Sequence, residues 1–379
     1  MNNMNIAFIT PDYTPNPKGG CGISSSLLVN RLREFGYNVD VFCINYRSKS
    51  VTNMNGTDYY FKGMPKIPFL NNFAAYFKLR KKLKSYSIVH VYNMDLIPVA
   101  AIIKHKQYKL VATINNPKGA VTSTYSGHIP LVNKISNFLT TKAIKYFKGK
   151  VDDYIALTQA LKNLYVENGY NRSKITVIPN MYDPKFIKRN NNRGSKKSIN
   201  LLYSGQLGDN KGVLDLIKAF DIIRKRHNST YLTILGKGKY EQLISNYLKE
   251  YELEEFVTLK YRKYPNIKHE YFSSDILIHP AKWFEPFSRV WLEAMCANLY
   301  IVSTNNPSAL EILKDKAIFY NSEDKKGLVD AIKKAIISLK NGDIIYQDLN
   351  EYSPEIVVKN IVKLYQKKIY NDRSNKKTQ

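Results

Sequence analysis

The sequence predicts an α/β protein made of two doubly wound domains. Three observations support this fold class: the length of 379 residues, short apolar runs that alternate with helix-period segments, and an apolar-free stretch near the middle of the chain. A chain of this length exceeds one ordinary compact core and suits two domains of about 150 to 200 residues. Hydrophobic residues make up 44% of the chain, which supplies enough apolar material for two cores.

The first half opens as a strand, a helix and a second strand. Residues 4–10 form an apolar run, a Pro/Gly loop leads to a helix-period segment at 23–35, and residues 39–44 are again apolar. Further strand-like runs alternate with helical segments, as a parallel sheet covered by helices requires. These runs lie at 88–92, 110–114, 154–157 and 175–178.

A polar stretch separates the two predicted domains. Residues 188–198 contain no apolar side chain, which is typical of a linker, so we predict a first domain over 1–187 and a second over 199–353. A final helix over 355–370 is predicted to pack back on the first domain. The second domain repeats the alternation, with strands at 200–204, 231–235, 256–259, 276–279 and 300–303 and helices at 213–227, 240–251 and 288–297.

The net charge of +27 is the compositional anomaly of this chain. An excess this large implies attraction to an anionic partner, and nucleic acid, lipid head groups and phosphorylated substrates all qualify. The excess is steeper up to residue 185, with 25 Lys and Arg against 9 Asp and Glu, than in the remainder, with 33 against 22.

Targeting and redox signals are absent from the sequence. The N-terminus has no leader pattern, and no stretch approaches the roughly 18 apolar residues of a membrane span, so we expect a cytoplasmic protein. The cysteines Cys21, Cys43 and Cys296 are widely spaced and never form C-x-x-C. This pattern argues against a disulfide framework and a zinc site.

The stretch 285–297 carries the most informative pattern. Glu285 lies in a predicted loop, a helix is predicted to begin at Ser288, and Glu293 lies within that helix. Their neighbours are mostly apolar, so both carboxylates need hydrogen-bond donors. Sugar hydroxyls are such donors, and the first amides of a helix bind phosphate. Alternatively, Glu285 is a surface residue and Glu293 pairs with a nearby Lys or Arg.

Two glycine-containing loops are predicted at one edge of the second sheet. Residues 204–212 (SGQLGDNKG) follow a strand and place Lys211 where it can reach a diphosphate. Residues 235–238 (LGKG) form a glycine turn after the next strand. Ligands of doubly wound folds bind at the carboxyl edge of the sheet. One glycine turn is ordinary loop geometry, but three loops that meet at this edge indicate a binding site.

Together these stretches resemble the retaining family 4 glycosyltransferases, and the resemblance covers nearly the whole chain. It implies the GT-B fold, in which two Rossmann-like domains face each other across a cleft. It also implies a hexosyltransferase that moves a sugar from a nucleotide sugar to a saccharide or lipid-linked acceptor in polysaccharide or glycolipid synthesis. The matching segments, in the family's order, are 19–22, 177–180, 204–212, 235–238, 274–280 and 285–295.

The resemblance also implies roles for individual residues. Lys211 would contact the donor diphosphate, Glu293 the ribose hydroxyls and Glu285 the transferred sugar, while Phe287 and Ser288 would supply backbone amides. The expected catalytic residues are Glu285, Lys211 and Asn115. The expected donor-binding residues are Gly19, Gly20, Gly205, Gln206, Lys211, Gly236, Arg262, Glu285, Phe287, Ser288, Arg289 and Glu293.

Three positions depart from the family pattern, of which Ser288 in place of the usual glycine is a conservative change. Gln206 stands where the family usually has an arginine, so Lys211 carries more of the phosphate charge or Arg262 or Arg289 compensates. Asn115 stands where the first domain usually has a histidine. An amide can position an acceptor hydroxyl but cannot act as a general base, which favours a front-face mechanism in which the leaving phosphate takes the proton.

Other chemistries are disfavoured. G-x-G-x-x-G with a downstream acid does not follow the first strand, which argues against dinucleotide redox chemistry. The sequence has no D-x-D, and its six histidines show no ligand spacing, so we expect neither a metal ion nor a cofactor.

Two alternatives to a transferase stay open. One is another enzyme of this fold, such as a sugar-nucleotide epimerase, or a phosphorylase, which typically has a much longer chain. The other is a non-enzymatic nucleic-acid-binding protein that uses the charge of +27 and the 29 tyrosines. No nucleic-acid-binding module is visible, so we expect no nucleic-acid partner.

Residues 69–84 predict a further surface. On a helix, Phe69, Leu70, Phe73, Tyr76 and Phe77 share one face, and five basic residues crowd the C-terminal end. This pattern is consistent with reversible docking of the first domain on an anionic membrane. Alternatively, the aromatic face packs on the sheet and the basic residues are simply solvated.

Overall fold

The computed structural model describes residues 4–14, 17, 19–44, 51–53, 56–61, 67–118, 120, 131–187, 198–343 and 348–375. The chain divides into two compact units, one of Met1–Met181 with Glu351–Gln379 and the other of Tyr182–Asn350. The first unit therefore ends before residue 187, where the sequence places the end of the first domain. Residues 188–197 of the expected linker lie outside the described part of the chain.

Among the described residues, the first unit contains an eight-stranded sheet in the order β3-β4-β2-β1-β5-β6-β7-β8. All neighbouring strands pair in parallel except β3 and β4. The strands are β1 (Asn5–Thr10), β2 (Asn38–Ile44), β3 (Val51–Asn53), β4 (Gly56–Phe61), β5 (Ile88–Val91), β6 (Lys109–Ile114), β7 (Asp153–Ala156) and β8 (Ile175–Val177).

The helices of the first unit include one from the C-terminal end of the chain. This helix, α12, packs on α1 and carries Tyr365, whose hydroxyl lies 2.6 Å from Nδ1 of the buried His90 on β5. The C-terminal helix therefore belongs to the core of the first unit. The helices are α1 (Gly20–Glu34), α2 (Pro68–Leu79), α3 (Ile97–Ile103), α4 (Leu131–Phe147), α5 (Gln159–Glu167) and α12 (Pro354–Asn375).

The described part of the second unit contains a six-stranded parallel sheet in the order β11-β10-β9-β12-β13-β14. The strands β10 and β11 are added on one side of β9, and β12, β13 and β14 on its other side. The loops after β9 and β12 therefore flank the topological switch point of the sheet. The strands are β9 (Ile199–Ser204), β10 (Thr230–Leu235), β11 (Val257–Lys260), β12 (Ile276–His279), β13 (Tyr300–Thr304) and β14 (Ala317–Tyr320).

Helices cover both faces of this second sheet. They are α6 (Val213–Arg224), α7 (Glu241–Glu250), α8 (Lys268–Ser273), α9 (Arg289–Cys296), α10 (Pro307–Leu313) and α11 (Lys325–Asn341). Phe220 of α6 and Ile332 of α11 are fully buried in one core with the apolar strand residues, and α6 packs on α11. The predicted α/β class with two doubly wound sheets is confirmed. Within the described residues, no helix is both long and apolar enough to cross a membrane.

Candidate functional site

The loop after β9 is fixed against the loop after β12. Gly212 has φ of +68°, and a Cβ atom there would lie 1.9 Å from the carbonyl oxygen of Pro280. The amide of Lys282 donates to the carbonyl oxygen of Asn210 at 2.9 Å. Because only glycine allows this approach and this φ value, the backbone contact fixes the neighbouring Lys211 beside the residues that follow β12.

The loop after β10 packs equally closely on the loop after β9. A Cβ atom at Gly236 would lie 1.9 Å from the carbonyl oxygen of Gly205, and one at Gly238 would lie 2.1 Å from that of Leu207. The amide of Leu207 donates to the carbonyl oxygen of Lys237 at 2.9 Å. The second glycine turn thus supports the shape of the first, and three loops meet at the carboxyl edge of this sheet.

Lys211 and Glu285 form an ion pair at this edge. The Lys211 Nζ atom lies 2.8 Å from Glu285 Oε2 and 4.7 Å from the ring centroid of Trp283. The Glu285 side chain is 11% exposed and that of Lys211 is 26% exposed. The sequence predicts both residues as site residues but not their direct contact. The lysine charge is therefore balanced by a carboxylate, and its ammonium group lies over an indole face.

Glu293 lies in a more enclosed setting on α9. It is 3% exposed, accepts a hydrogen bond from the hydroxyl of Tyr271 at 2.7 Å, and has Arg289 Nε 3.5 Å from its other oxygen. Burial raises the pKa of Glu293, although the charge of Arg289 opposes that rise. Both carboxylate oxygens thus contact protein groups. The pairing of Glu293 with a nearby Arg, stated above as an alternative, is present in the structure.

The N-terminus of α9 is built from buried residues. Ser288 is the N-cap, but its side chain makes no capping hydrogen bond, and its Oγ atom lies 3.3 Å from His279 Nε2. Burial lowers the pKa of His279 to about 4, so this imidazole is neutral at pH 7. Phe287 is also buried. The sequence alone does not single out His279; its position at the end of β12, at the carboxyl edge of the sheet, is the signal that could have identified it.

The two arginines proposed to compensate for Gln206 both pair with carboxylates. Arg262 Nε donates to Glu270 Oε1 at 2.6 Å, and Arg289 lies beside Glu293. Burial acts to raise the pKa of Glu270, but the hydrogen bond from Arg262 and the nearby lysine outweigh it and lower the pKa. Gln206 itself is exposed. Arg262 is thus held by Glu270, whereas Lys211 is held by Glu285.

Gly19, Gly20 and Asn115 lie together in the first unit. The predicted glycine loop before the first helix is wrong in its extent, because Gly19 is the N-cap and α1 already begins at Gly20. Asn115 follows β6, and its Nδ2 atom lies 3.1 Å from Cys21 Sγ in the first turn of α1 and 3.1 Å from the carbonyl oxygen of Tyr92. The side-chain amide of Asn115 therefore ties the end of β6 to the start of α1.

No cluster of His, Cys, Asp or Glu that could hold a metal ion occurs in the described ranges.

The protein has two doubly wound sheets in separate units, with polar residues at the switch point of the second sheet. These features define it as a two-domain α/β protein. Solved structures share this fold: Anabaena HepE, crystallised with UDP and glucose, has a TM-score of 0.77 at 16% identity over 96% of this chain and 99% of that chain. Sucrose-phosphate synthase from Thermosynechococcus elongatus has a TM-score of 0.80 at 17% identity over 97% of this chain and 100% of that chain.

Family models identify both halves of the sequence. Residues 18–186 match Glycosyltransferase Family 4, and residues 184–355 match Glycosyl transferases group 1. The chain therefore belongs to the GT-B glycosyltransferases of family 4, and the predicted enzyme class is confirmed.

Curated relatives agree with this assignment. An uncharacterised glycosyltransferase of Methanocaldococcus jannaschii is 26% identical over 330 residues, which cover 82% of this chain and 83% of that protein. The lipopolysaccharide 1,2-N-acetylglucosaminetransferase of Salmonella typhimurium is 24% identical over 184 residues, which cover 44% of this chain and 48% of that protein.

Proposed function

We propose that this enzyme transfers a sugar from a nucleoside-diphosphate sugar to a hydroxyl group of a glycan or glycolipid precursor, with retention of the anomeric configuration and without a metal ion. The observation that carries the proposal is the Lys211–Glu285 pair, held at 2.8 Å at the switch point of the second sheet. The HepE structures that contain UDP and UDP-glucose support a nucleotide-sugar donor.

The proposed donor site uses the three loops after β9, β10 and β12. Lys211 and the first amides of α9, near Phe287 and Ser288, would bind the diphosphate. Glu285 would accept hydrogen bonds from the transferred sugar, and Glu293 from the ribose. The glycines that pack these loops together, Gly205 and Gly236, would keep them in position for the nucleotide.

In the reaction that we propose, the bond between the sugar C1 and the diphosphate oxygen breaks. A new bond forms between C1 and the acceptor oxygen on the same face of the ring. The acceptor proton moves to the leaving diphosphate oxygen, so no side chain has to act as the base. Lys211 and the helix amides would stabilise the charge that develops on the diphosphate. Asn115 is a neutral amide, and its proposed role is to position the acceptor hydroxyl in place of a base.

The Salmonella relative is named lipopolysaccharide 1,2-N-acetylglucosaminetransferase, which supports a cell-surface glycan as the product. We place the enzyme in the cytoplasm, at the inner face of the membrane, where a lipid-linked acceptor would be available.

The direct test is a screen of purified protein against a panel of nucleotide sugars, with release of nucleoside diphosphate as the readout. We expect one donor class to be hydrolysed slowly without an acceptor, EDTA to leave the rate unchanged, and Lys211→Ala to abolish it. Lys249→Ala, an exposed lysine of the same unit, is the control. A strict need for added magnesium or manganese would contradict the metal-free site, and an inverted product in a proton NMR spectrum would contradict retention.

A further inference from the structure

Helix α2 exposes its apolar face to solvent. Phe69, Leu70, Phe73 and Phe77 are 46 to 66% exposed. The opposite face carries Asn71, Ala75 and Leu79, which are buried. The sequence-based alternative that the aromatic face packs on the sheet is therefore wrong. A surface helix normally buries its apolar face, so α2 has reversed polarity.

Helix α4 repeats this reversal. Its outer side chains Leu131, Val132, Ile135, Phe138 and Leu139 are 41 to 71% exposed. Its buried face instead carries hydroxyl side chains, namely Ser136, Thr140 and Thr141, with Ile144. Small polar residues thus face the interior while large apolar residues face outward. This is the opposite of the arrangement that the hydrophobic effect favours.

The two helices are neighbours in the first unit, so their outer faces adjoin. They pack on each other, and the backbone amide of Phe69 donates to Ser136 Oγ at 3.2 Å. We name the exposed apolar side chains of α2 and α4 given above the apolar patch. Scattered exposed apolar residues need no explanation, but the exposed apolar faces of two helices that pack on each other, both of reversed polarity, mark an interaction surface.

The region that contains the apolar patch is strongly basic. Between residues 67 and 150 the sequence has fourteen Lys and Arg residues and a single acidic residue, Asp95. Basic side chains lie beside the patch: the guanidinium carbon of Arg80 is 5.5 Å from the ring centroid of Phe77, and Lys142 Nζ is 5.5 Å from that of Phe138. Positive charge therefore borders the apolar side chains directly.

We propose that the apolar patch and its basic border form a docking surface for an anionic lipid bilayer. Aromatic and aliphatic side chains would enter the interfacial layer while Lys and Arg meet the head groups, the arrangement by which amphipathic surfaces bind membranes. A second copy of this chain is a poorer occupant, because its own patch has the same positive border and the two would repel each other. The inference rests on the proposed function only for the lipid-linked acceptor; the surface itself is independent of the donor site.

Co-sedimentation of the full chain with vesicles tests the proposal. The vesicles contain phosphatidylcholine alone or phosphatidylcholine with phosphatidylglycerol, at low and high salt. One variant removes aromatic bulk from the patch (Phe73→Ser with Phe138→Ser), and a second reverses the two border charges (Arg80→Glu with Lys142→Glu). Matched controls make comparable changes at exposed positions of the second unit. They are Ile222→Ser with Ile337→Ser, and Lys249→Glu with Lys326→Glu.

We expect the parent and both controls to pellet with anionic vesicles, less so at high salt. Each patch variant should show at least a tenfold weaker apparent affinity, with unchanged nucleoside-diphosphate binding and an unchanged Tm. Equal pelleting of parent and patch variants, or pelleting that ignores lipid charge, would overturn the proposal. A lowered Tm of the serine variant would show that the chain itself covers the patch, and loss of a dimer in light scattering would show that a second copy does. Failure of the parent to bind nucleoside diphosphates would count against the donor site alone.

Discussion

Replacing Glu285 by Gln should separate diphosphate binding from catalysis. Lys211 is paired with Glu285 at 2.8 Å, so a diphosphate at the proposed donor site would compete with this carboxylate for the lysine. The amide of Gln keeps the shape of the side chain but not its charge, which releases Lys211. We therefore expect the variant to bind nucleoside diphosphate at least as tightly as the parent while sugar transfer is largely lost.

The expected change in diphosphate affinity follows from how far the side chains of Lys211 and Glu285 are exposed. Both side chains are less than one-third exposed, at 11% for Glu285 and 26% for Lys211, so solvent screens the interaction only in part. A hydrogen bond between charged groups contributes about 1.5 to 3 kcal/mol, or roughly 10- to 150-fold in a dissociation constant. That range is the expected loss for Lys211→Ala and the upper limit of the gain for Glu285→Gln.

Isothermal titration calorimetry at fixed ionic strength, with UDP, ADP and GDP as separate ligands, measures these constants. The double variant Lys211→Ala with Glu285→Gln should bind like Lys211→Ala alone, because the carboxylate acts through the lysine. Asp221→Asn is the control, since it removes another carboxylate of this unit that pairs with a lysine, Lys225. If Glu285→Gln weakens diphosphate binding as much as Lys211→Ala does, the competition between carboxylate and diphosphate is refuted.

Three further predictions concern stability in the same unit. Glu293→Ala should cost about 3 kcal/mol in urea denaturation and Glu293→Gln less, because the alanine leaves the buried Arg289 without its carboxylate partner. Gly236→Ala should cost at least about 1 to 3 kcal/mol, because its Cβ would lie 1.9 Å from a backbone oxygen, whereas Gly208→Ala has open space and should be nearly neutral. The pKa of His279, lowered to about 4, means that the unfolded chain binds its proton first as pH falls. The free energy of unfolding should therefore decrease by about 3 kcal/mol as the pH falls from about 6.5 to about 4. His279→Asn should remove this contribution to the pH dependence of stability.

The strands that the sequence predicts and those that it misses differ in position. Central strands such as β1 and β12 are buried on both faces, so they read as apolar runs. The missed strands β3, β4 and β14 lie at or next to sheet edges, and β4 and β14 alternate or only partly bury their side chains. Their weaker apolar pattern follows from that exposure, because an edge strand has fewer neighbours to cover it.

The general place of the candidate site follows from topology, but its pairings do not. Loops after parallel strands meet at one edge, which is why the sequence predicts that Lys211 and Glu285 lie near each other. The partner of Arg262 is different: Glu270 lies only eight positions away, yet it becomes a partner because α8 folds back beside the end of β11. Sequence spacing does not reveal which carboxylate an exposed cation will reach.

These ion pairs also show that the excess positive charge of the protein does not lie at the candidate donor site. At the candidate donor site Lys211 is balanced by Glu285, Arg289 by Glu293 and Arg262 by Glu270. A donor site made of such pairs would bind a diphosphate by exchanging ion-pair partners at short range. It does not need the net charge of +27, of which the segment 67–150 alone supplies +13 with fourteen basic residues and one acidic residue. Because this segment also carries the apolar patch, the compositional anomaly is better explained by a lipid surface than by the nucleotide.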